Sequence, residues 1–144
     1  MHVSAVLVGA RALLIRGPAA SGKSRLVLEL LQAARTGLLS FARLVADDRA
    51  LCEAAHGRLL VRPEPRLAGL LEVRGLGIRR VAYEPVAVVG TVVDLAAEDA
   101  SRLPDPASCE VEVAQIRLPR VAVPAGTAPL SLVLAYLGTE DGLA

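Results

Sequence analysis

Residues 17 to 24 read GPAASGKS, which satisfies the spacing of a phosphate-binding loop, G-x-x-x-x-G-K-[ST]. In such a loop the backbone N–H groups point inward at phosphate oxygens, and the N-terminus of the following helix adds partial positive charge. The flexible ammonium of Lys23, the only lysine in the chain, suits the β and γ phosphates of ATP, and the hydroxyl of Ser24 suits Mg²⁺. The predicted nucleotide-binding residues are Gly17, Pro18, Ala19, Ala20, Ser21, Gly22, Lys23, Ser24 and Arg25.

Two adjacent carboxylates, Asp47 and Asp48, end the next apolar run, FARLVADD at 41 to 48. Side chains of neighbouring residues on a strand point in opposite directions, so the two acids can have different tasks. One would face Mg²⁺ and Ser24, and the other would face an incoming acceptor hydroxyl. The alternative interpretation is a solvated strand end, or an Asp that caps the following turn.

Hydrophobic spacing predicts the elements that carry these residues. Apolar runs at 3 to 9 and 12 to 17 predict a β-hairpin immediately before the loop. Apolar residues from Leu26 to Ala34 at helical spacing predict a helix of about three to four turns that begins at Lys23 and stops at Gly37. The loop therefore has the strand before it and the helix after it that its chemistry requires.

The rest of the chain reads mainly as strands. Residues 49 to 55 and 58 to 63 predict a second hairpin, and 86 to 95 predict a β-branched strand. Residues 67 to 81 are predicted as a helical turn followed by an ordered loop, because glycines and charges interrupt them. Prolines in 115 to 124 suit an edge strand, and 127 to 138 predict a final helix with Thr127 as N-cap and Gly138 as C-cap.

Composition limits the function classes. A chain of 144 residues, 53% hydrophobic, predicts one α/β domain spanning 1 to 144. A net charge of +1 gives no electrostatic case for a nucleic-acid or membrane partner, and Arg11 interrupts the apolar region that a signal peptide needs, so the predicted location is cytoplasmic. The widely spaced Cys52 and Cys109 are interpreted as buried free thiols.

The segment LLEVRGLGIRR at 70 to 80, together with LVADDR and the phosphate-binding loop, resembles the catalytic domain of the HPr kinase/phosphorylase family. The resemblance runs from His2 to about Val123 and matches the short form without the family's N-terminal domain. It implies a P-loop-containing kinase domain of the HPr kinase/phosphoenolpyruvate carboxykinase type. It also implies ATP and Mg²⁺ as cofactors, the phosphocarrier protein HPr as partner, and a homo-oligomer.

The same resemblance implies residue roles. Asp47 matches the catalytic acid/base, and Lys23 and His2 match further functional residues, His2 standing fifteen residues before Gly17. Ser24, Asp48 and Glu72 match the residues tied to the metal. The implied reaction is transfer of the γ-phosphoryl group of ATP to a serine of HPr, with segments 70 to 80 and 117 to 127 as the docking surface.

One departure from the family concerns the reverse reaction, phosphorolysis. The loop after the last strand is usually basic in the family, whereas VAVPAGTAPLS has no basic residue and Arg120 is the nearest candidate. Kinase activity is therefore implied more directly than phosphorylase activity. Two alternatives stay open: a kinase for another protein or small hydroxylated acceptor, and an ATP-binding regulatory module, which would not need Asp47 and Glu72.

Overall fold

Ten strands and two helices make up the part of the chain that the computed structural model describes, residues 1–142. Positions 143 and 144 of the predicted domain lie outside the described residues. The elements are β1 (Ser4–Val8), β2 (Arg11–Arg16), α1 (Lys23–Arg35), β3 (Ala42–Ala46), β4 (Ala50–Ala55), β5 (Arg58–Pro63), β6 (Leu70–Val73), β7 (Gly77–Arg80), β8 (Ala87–Asp94), β9 (Glu110–Val113), β10 (Ile116–Ala122) and α2 (Pro129–Gly138).

The main sheet brings the ends of several strands to one edge. Its order is β3-β1-β2-β8-β10-β9, with β4 and β5 joined to it through the start of β8. Strand β1 pairs antiparallel with both β2 and β3, whereas β8 pairs parallel with β2 and β10. Strands β2, β3, β8 and the end of β10 therefore run in the same direction. Their carboxyl ends share the edge at which α/β sheets bind ligands.

Side-chain alternation divides the core between the two faces of this sheet. On one face, residues such as Leu14 and Val92 pack against Leu59 and Val61 of the β4–β5 hairpin. On the other face, Ile15 and Val93 pack with the helices. The sheet therefore lies between two apolar layers, one formed with the β4–β5 hairpin and one formed with the helices.

Helix α1 buries one stripe of apolar residues against the sheet. Leu26, Val27, Leu30 and Ala33 are buried, whereas the predicted face residues Leu31 and Ala34 are half-buried. Burial of three large aliphatic side chains contributes on the order of 1.5–3 kcal/mol each, before the entropy cost of ordering them. The helix start, and with it Lys23 and Ser24, is thus fixed by the core.

The prediction for residues 67 to 81 was wrong. A single 3₁₀ turn forms earlier, at Pro65–Leu67, and the segment itself folds into the antiparallel β6–β7 hairpin. All four residues of β7 are exposed, so the segment lacks the apolar alternation from which a strand is recognised. Gly75, in the turn, and Gly77, which begins β7, take φ of 92° and 88°, a conformation that disfavours other residues.

Three further expectations need correction. Strand β10 is not an edge strand, because β8 and β9 each pair with one half of it, although Pro119 lies outside the ladder with β8. Helix α2 has Ala128 as its N-cap, with no side-chain cap there, and Thr139 as its C-cap, whose Oγ1 donates to the Ala135 carbonyl at 2.6 Å. Cys52 and Cys109 are free but half-buried; burial raises the pKa of the Cys52 thiol.

The other predicted elements are confirmed: both early hairpins, helix α1, the strand before Asp47, strand β8 and helix α2. Within residues 1–142, neither helix has the length and apolar character needed to cross a membrane.

Candidate functional site

The phosphate-binding loop connects β2 to α1 at the ligand-binding edge of the sheet. A side chain at Gly17 would place its Cβ 2.5 Å from Ser21 Oγ and 3.0 Å from Leu95 Cβ, so a larger residue here would have to displace these side chains. Gly22 is the N-cap of α1, with a φ of 101°, and no side chain caps this end of the helix. The first N–H groups of α1 are therefore free to bind an anion.

The ammonium of Lys23 is held inside the loop. The residue is 9% exposed, and Nζ donates hydrogen bonds to the carbonyl oxygens of Gly17, at 2.9 Å, and Pro18, at 3.2 Å. These bonds fold the first half of the loop around the positive charge. A phosphate bound in the loop would contact this charge and the uncapped N–H groups of α1 together.

Two other features of the loop point to an anionic ligand. The hydroxyl of Ser21 is buried and, among the described residues, has no hydrogen-bond partner. An unsatisfied buried hydroxyl calls for an explanation, and a phosphate oxygen would accept its proton. Ala20 has a φ of 63°, a left-handed conformation that costs a non-glycine residue about 1–2 kcal/mol. Such strain is found more often at functional sites than elsewhere.

Asp47 lies directly after β3 and faces the loop. Its carboxylate accepts hydrogen bonds from Ser24 Oγ, at 2.8 Å to Oδ1 and 3.0 Å to Oδ2. It also accepts from Ser4 Oγ, at 3.0 Å, and from the backbone N–H of Glu72, at 3.2 Å. Asp47 is 8% exposed. Three groups therefore donate to this carboxylate, and the single Ser24 proton is shared between its two oxygens.

Asp48 and Glu72 are arranged differently from the prediction. Asp48 is exposed with a φ of 66°, and its backbone N–H donates to Ser4 Oγ at 3.0 Å. The Glu72 side chain is also exposed, and the hydrogen bond to Asp47 comes from its backbone. Among the predicted metal residues Ser24, Asp48 and Glu72, the side chain of Ser24 is the one that binds a carboxylate. That carboxylate is the side chain of Asp47. Residues 1–142 contain no cluster of three or more potential His, Cys, Asp or Glu ligands.

The remaining predicted residues lie at the margin of the site. His2 is exposed, and its neighbour Met1 is tied to Ala50 by backbone hydrogen bonds, so the N-terminus is held in place. Arg25 has an 82% exposed side chain and lies 3.9 Å from Glu29 on the same helix. No hydrogen bond joins His2 or Arg25 to the phosphate-binding loop.

Sequence reasoning missed a charged network beside the loop. Arg16, the last residue of β2, makes a two-point contact with Asp94 at the end of β8, with distances of 2.7 and 2.8 Å. Arg120 of β10 binds Asp94 as well and makes a second two-point contact with Asp99. Asp94 ends an apolar strand, as Asp47 does, and this was the available signal in the sequence. Nothing in the sequence indicated that Arg16 and Arg120 would be its partners.

Burial and hydrogen bonding shift the pKa values of Asp94 and Arg120 in opposite directions. Burial alone would raise the pKa of Asp94, but the hydrogen bonds from Arg16 and Arg120 outweigh it and lower the pKa below the ordinary value. The hydrogen bond to Asp99 does most to raise the pKa of Arg120, against the effect of burial. Both groups therefore stay charged, and the Arg120 charge is already neutralised by two carboxylates.

The residues present fit a nucleotide with Mg²⁺. The loop offers an uncapped helix start, the unpaired Ser21 hydroxyl and the buried Lys23 ammonium, which suit phosphate oxygens. Ser24 and Asp47 offer hard oxygen atoms, which Mg²⁺ prefers. One or two carboxylates are enough for this ion, because substrate phosphates and waters complete its coordination.

Comparison with known proteins gives the same fold. The solved structure of the Hpr(Ser) kinase/phosphatase from Coxiella burnetii superposes with a TM-score of 0.76, at 21% sequence identity, over 96% of this chain and 87% of that chain. No protein-family model matches the sequence. No curated protein matches it either. The predicted α/β kinase-type fold is confirmed, and this chain is similar in fold to the Hpr(Ser) kinase/phosphatase.

Proposed function

We propose that this protein is an ATP-dependent kinase that phosphorylates a serine of an HPr-type phosphocarrier protein. The observation that carries the proposal is the constellation of Lys23, Ser24 and Asp47, in which a phosphate-binding loop lies against a buried carboxylate. The similarity of fold to a protein described as an Hpr(Ser) kinase/phosphatase supports the choice of acceptor. So does the resemblance of residues 70 to 80 to the family's signature segment.

The residues of the loop have separate tasks in the proposed reaction. The N–H groups at the start of α1, the Ser21 hydroxyl and Lys23 bind the β and γ phosphates and offset the charge that develops during transfer. Ser24 and Asp47 would hold Mg²⁺, which neutralises phosphate charge when bound. The acceptor hydroxyl forms the new P–O bond, the bond from the γ-phosphorus to the bridging oxygen breaks, and ADP leaves.

The contacts favour an exchange of roles between the two adjacent acids. Asp47, which the sequence assigned as acid/base, has its carboxylate engaged by three donor groups and faces Ser24, the position of a metal-orienting carboxylate. Asp48, which the sequence assigned to the metal, is exposed and next to the site. We therefore assign the metal side to Asp47 and the acceptance of the serine proton to Asp48.

The β6–β7 hairpin supplies a docking surface beside the acids. Leu76 and Ile78 are 68% and 64% exposed, and Arg74, Arg79 and Arg80 are exposed around them. The hairpin contacts the site through the backbone of Glu72, which binds Asp47. Exposed apolar side chains ringed by arginine suit a protein partner with an apolar patch and acidic neighbours.

The test is incubation of the protein with γ-labelled ATP, Mg²⁺ and HPr from the same organism, followed by mapping of the label by mass spectrometry. The expected result is stoichiometric label on one serine of HPr. A control with HPr in which that serine is replaced by alanine should take up no label. ATP binding without label on HPr would overturn the choice of acceptor, and absence of ATP binding would overturn the kinase proposal itself.

A further inference from the structure

Ser4 is a polar residue on an otherwise apolar face. It opens β1, two residues before Val6, so both side chains point towards α1, where Val6 packs with Leu26 and Leu30. Ser4 is 0% exposed. A hydroxyl at such a position costs free energy unless it is hydrogen-bonded, and an alanine would fit the apolar pattern without that cost.

The Ser4 hydroxyl contacts both members of the acid pair. Its Oγ donates to Asp47 Oδ1 at 3.0 Å and accepts from the backbone N–H of Asp48 at 3.0 Å. One atom thus fixes the direction of the Asp47 carboxylate and the backbone of Asp48. Asp48 is held with a φ of 66°, which a non-glycine residue keeps only when its surroundings enforce it.

The side-chain hydrogen bonds of Ser4 lie next to the point where the backbone ladder between β1 and β3 ends. The ladder between β1 and β3 ends at Ala5 and Ala46, after a shift in register between Ala5 and Val6. Bulges of this kind redirect side chains next to active sites. Between the Ala5–Ala46 pair and the Met1–Ala50 backbone hydrogen bonds, the Ser4 side chain links the start of β1 to the turn that carries Asp47 and Asp48.

We infer that Ser4 is a positioning residue for phosphoryl transfer: its hydroxyl holds Asp47 towards Ser24 and holds Asp48 in the conformation that presents its carboxylate outward. The inference rests on the proposed function. Ser24 would change partners if it bound Mg²⁺, whereas the fully buried Ser4 would keep its hydrogen bond to Asp47. Loss of the hydroxyl should therefore weaken the alignment of both acids and leave the phosphate-binding loop intact.

The test compares wild type with Ser4→Ala, and uses Thr91→Val as a matched control. Thr91 is also a buried hydroxyl, at 7% exposure, but its partner is Tyr136 Oη. In protein without ligand, hydrogen exchange of the Asp48 amide, measured by NMR, should be at least about tenfold faster in Ser4→Ala, with the Val6 and Leu44 amides unchanged. With Mg²⁺, ATP and acceptor, kcat should fall by about ten- to a hundredfold.

Binding of ADP in excess EDTA separates positioning from general damage. We expect its affinity to stay within about twofold of wild type in Ser4→Ala, because the hydrogen bonds of Lys23 go to Gly17 and Pro18, whereas Ser4 binds Asp47 and Asp48. Unchanged exchange and kcat in Ser4→Ala, with normal ADP binding, would overturn this inference alone. So would an Asp48 amide in wild type that exchanges as fast as an unstructured peptide, a measurement that needs no variant. If wild type bound no ADP, the proposed function would fail and this inference with it.

Discussion

At the scale of single residues, the buried polar side chains of the phosphate-binding loop and of Asp47 determine what chemistry the site can perform. Lys23 donates to the Gly17 and Pro18 carbonyls at 2.9 and 3.2 Å, and Ser24 donates to the Asp47 carboxylate at 2.8 and 3.0 Å. The Ser21 hydroxyl is buried and has no hydrogen-bond partner among the described residues. The charge of Lys23 and the Ser21 hydroxyl thus lie in the same loop, where a phosphate could contact both.

Exchange of the two acids for amides separates their proposed roles. We expect Asp48→Asn to lower kcat by about a hundredfold or more with nucleotide binding and Mg²⁺ dependence retained, because only the proton acceptor is lost. Asp47→Asn should instead raise the Mg²⁺ concentration needed for half-maximal activity. Steady-state kinetics over a Mg²⁺ series checks both. The reverse pattern would restore the assignment made from the sequence.

The sequence predicted some of these residues and not others. Lys23, Ser24 and Asp47 could be found because the loop has a fixed spacing and an acid ends the next strand. Ser4 could not, because a single serine in an apolar strand reads as a neutral substitution until its hydrogen bonds are known. The relative roles of Asp47 and Asp48 depend on the turn at φ 66°, which no spacing rule predicts.

At the scale of elements, the carboxylate of Asp94 ties the ends of three parallel strands together beside the phosphate-binding loop. Arg16 ends β2, Asp94 ends β8, and Arg120 lies in β10. The backbone contributes as well, since Leu95 N–H donates to the Arg16 carbonyl and Val123 N–H donates to the Asp94 carbonyl. Arg16, the residue immediately before the phosphate-binding loop, is therefore held in place by both its side chain and its backbone.

Asp94→Asn should destabilise the protein at pH 7 by roughly 2–3 kcal/mol, since it leaves Arg16 without its charged partner. The pKa of Asp94 is lowered from an ordinary 3.8, so its contribution is full above pH 3.8 and is lost as pH falls through the lower folded value. The difference between variant and wild type should therefore shrink in strong acid. Urea unfolding of both proteins without nucleotide, at pH 7 and at several pH values below 4, measures this difference in the free energy of unfolding.

Glu110→Gln provides the matched control, because it removes a carboxylate from an exposed pair with Arg117, whose side chains are 56% and 74% exposed. We expect less than about 1 kcal/mol from that variant. An Asp94→Asn variant that was as stable as Glu110→Gln at pH 7 would contradict a structural role for the network.

The elements with regular apolar spacing were predictable, and those without it were not. Helix α1 and strand β8 bury a continuous stripe, which their sequences display. The β6–β7 hairpin has one fully buried side chain, that of Leu71, so pairing and the turn at Gly75 fold it rather than an apolar pattern. Thr127 was predicted as a cap by residue type, but α2 begins two residues later, at Pro129.

At the scale of the whole molecule, the sheet edge brings the loop, the two acids and the β6–β7 hairpin to one side. No basic residue occurs in 124 to 128 after β10. Arg120 is 11% exposed and bound to Asp94 and Asp99, and Arg117, in the other half of β10, is paired with Glu110. Neither offers an unpaired charge to a second phosphate.

We therefore expect the reaction to run mainly in the direction of phosphorylation. Phosphorolysis would bring inorganic phosphate and a phosphoserine together, and their repulsion needs a cation beyond Lys23 and Mg²⁺. Loss of one such contact costs about 3 kcal/mol, or about a hundredfold in rate. Pyrophosphate release from seryl-phosphorylated HPr, at millimolar phosphate, should be slower than the kinase reaction by at least that factor. Equal rates in both directions would disprove this expectation.

The most direct test of the account is MgATP binding and turnover by Lys23→Ala, with Arg35→Ala as the control. Arg35 is an exposed cation at the far end of the same helix, so its loss changes net charge equally without touching the loop. Lys23→Ala should lower phosphoryl transfer by at least about a hundredfold, with little change in melting temperature, whereas Arg35→Ala should match wild type. Equal MgATP turnover by wild type and Lys23→Ala would contradict a phosphate-binding role for this loop.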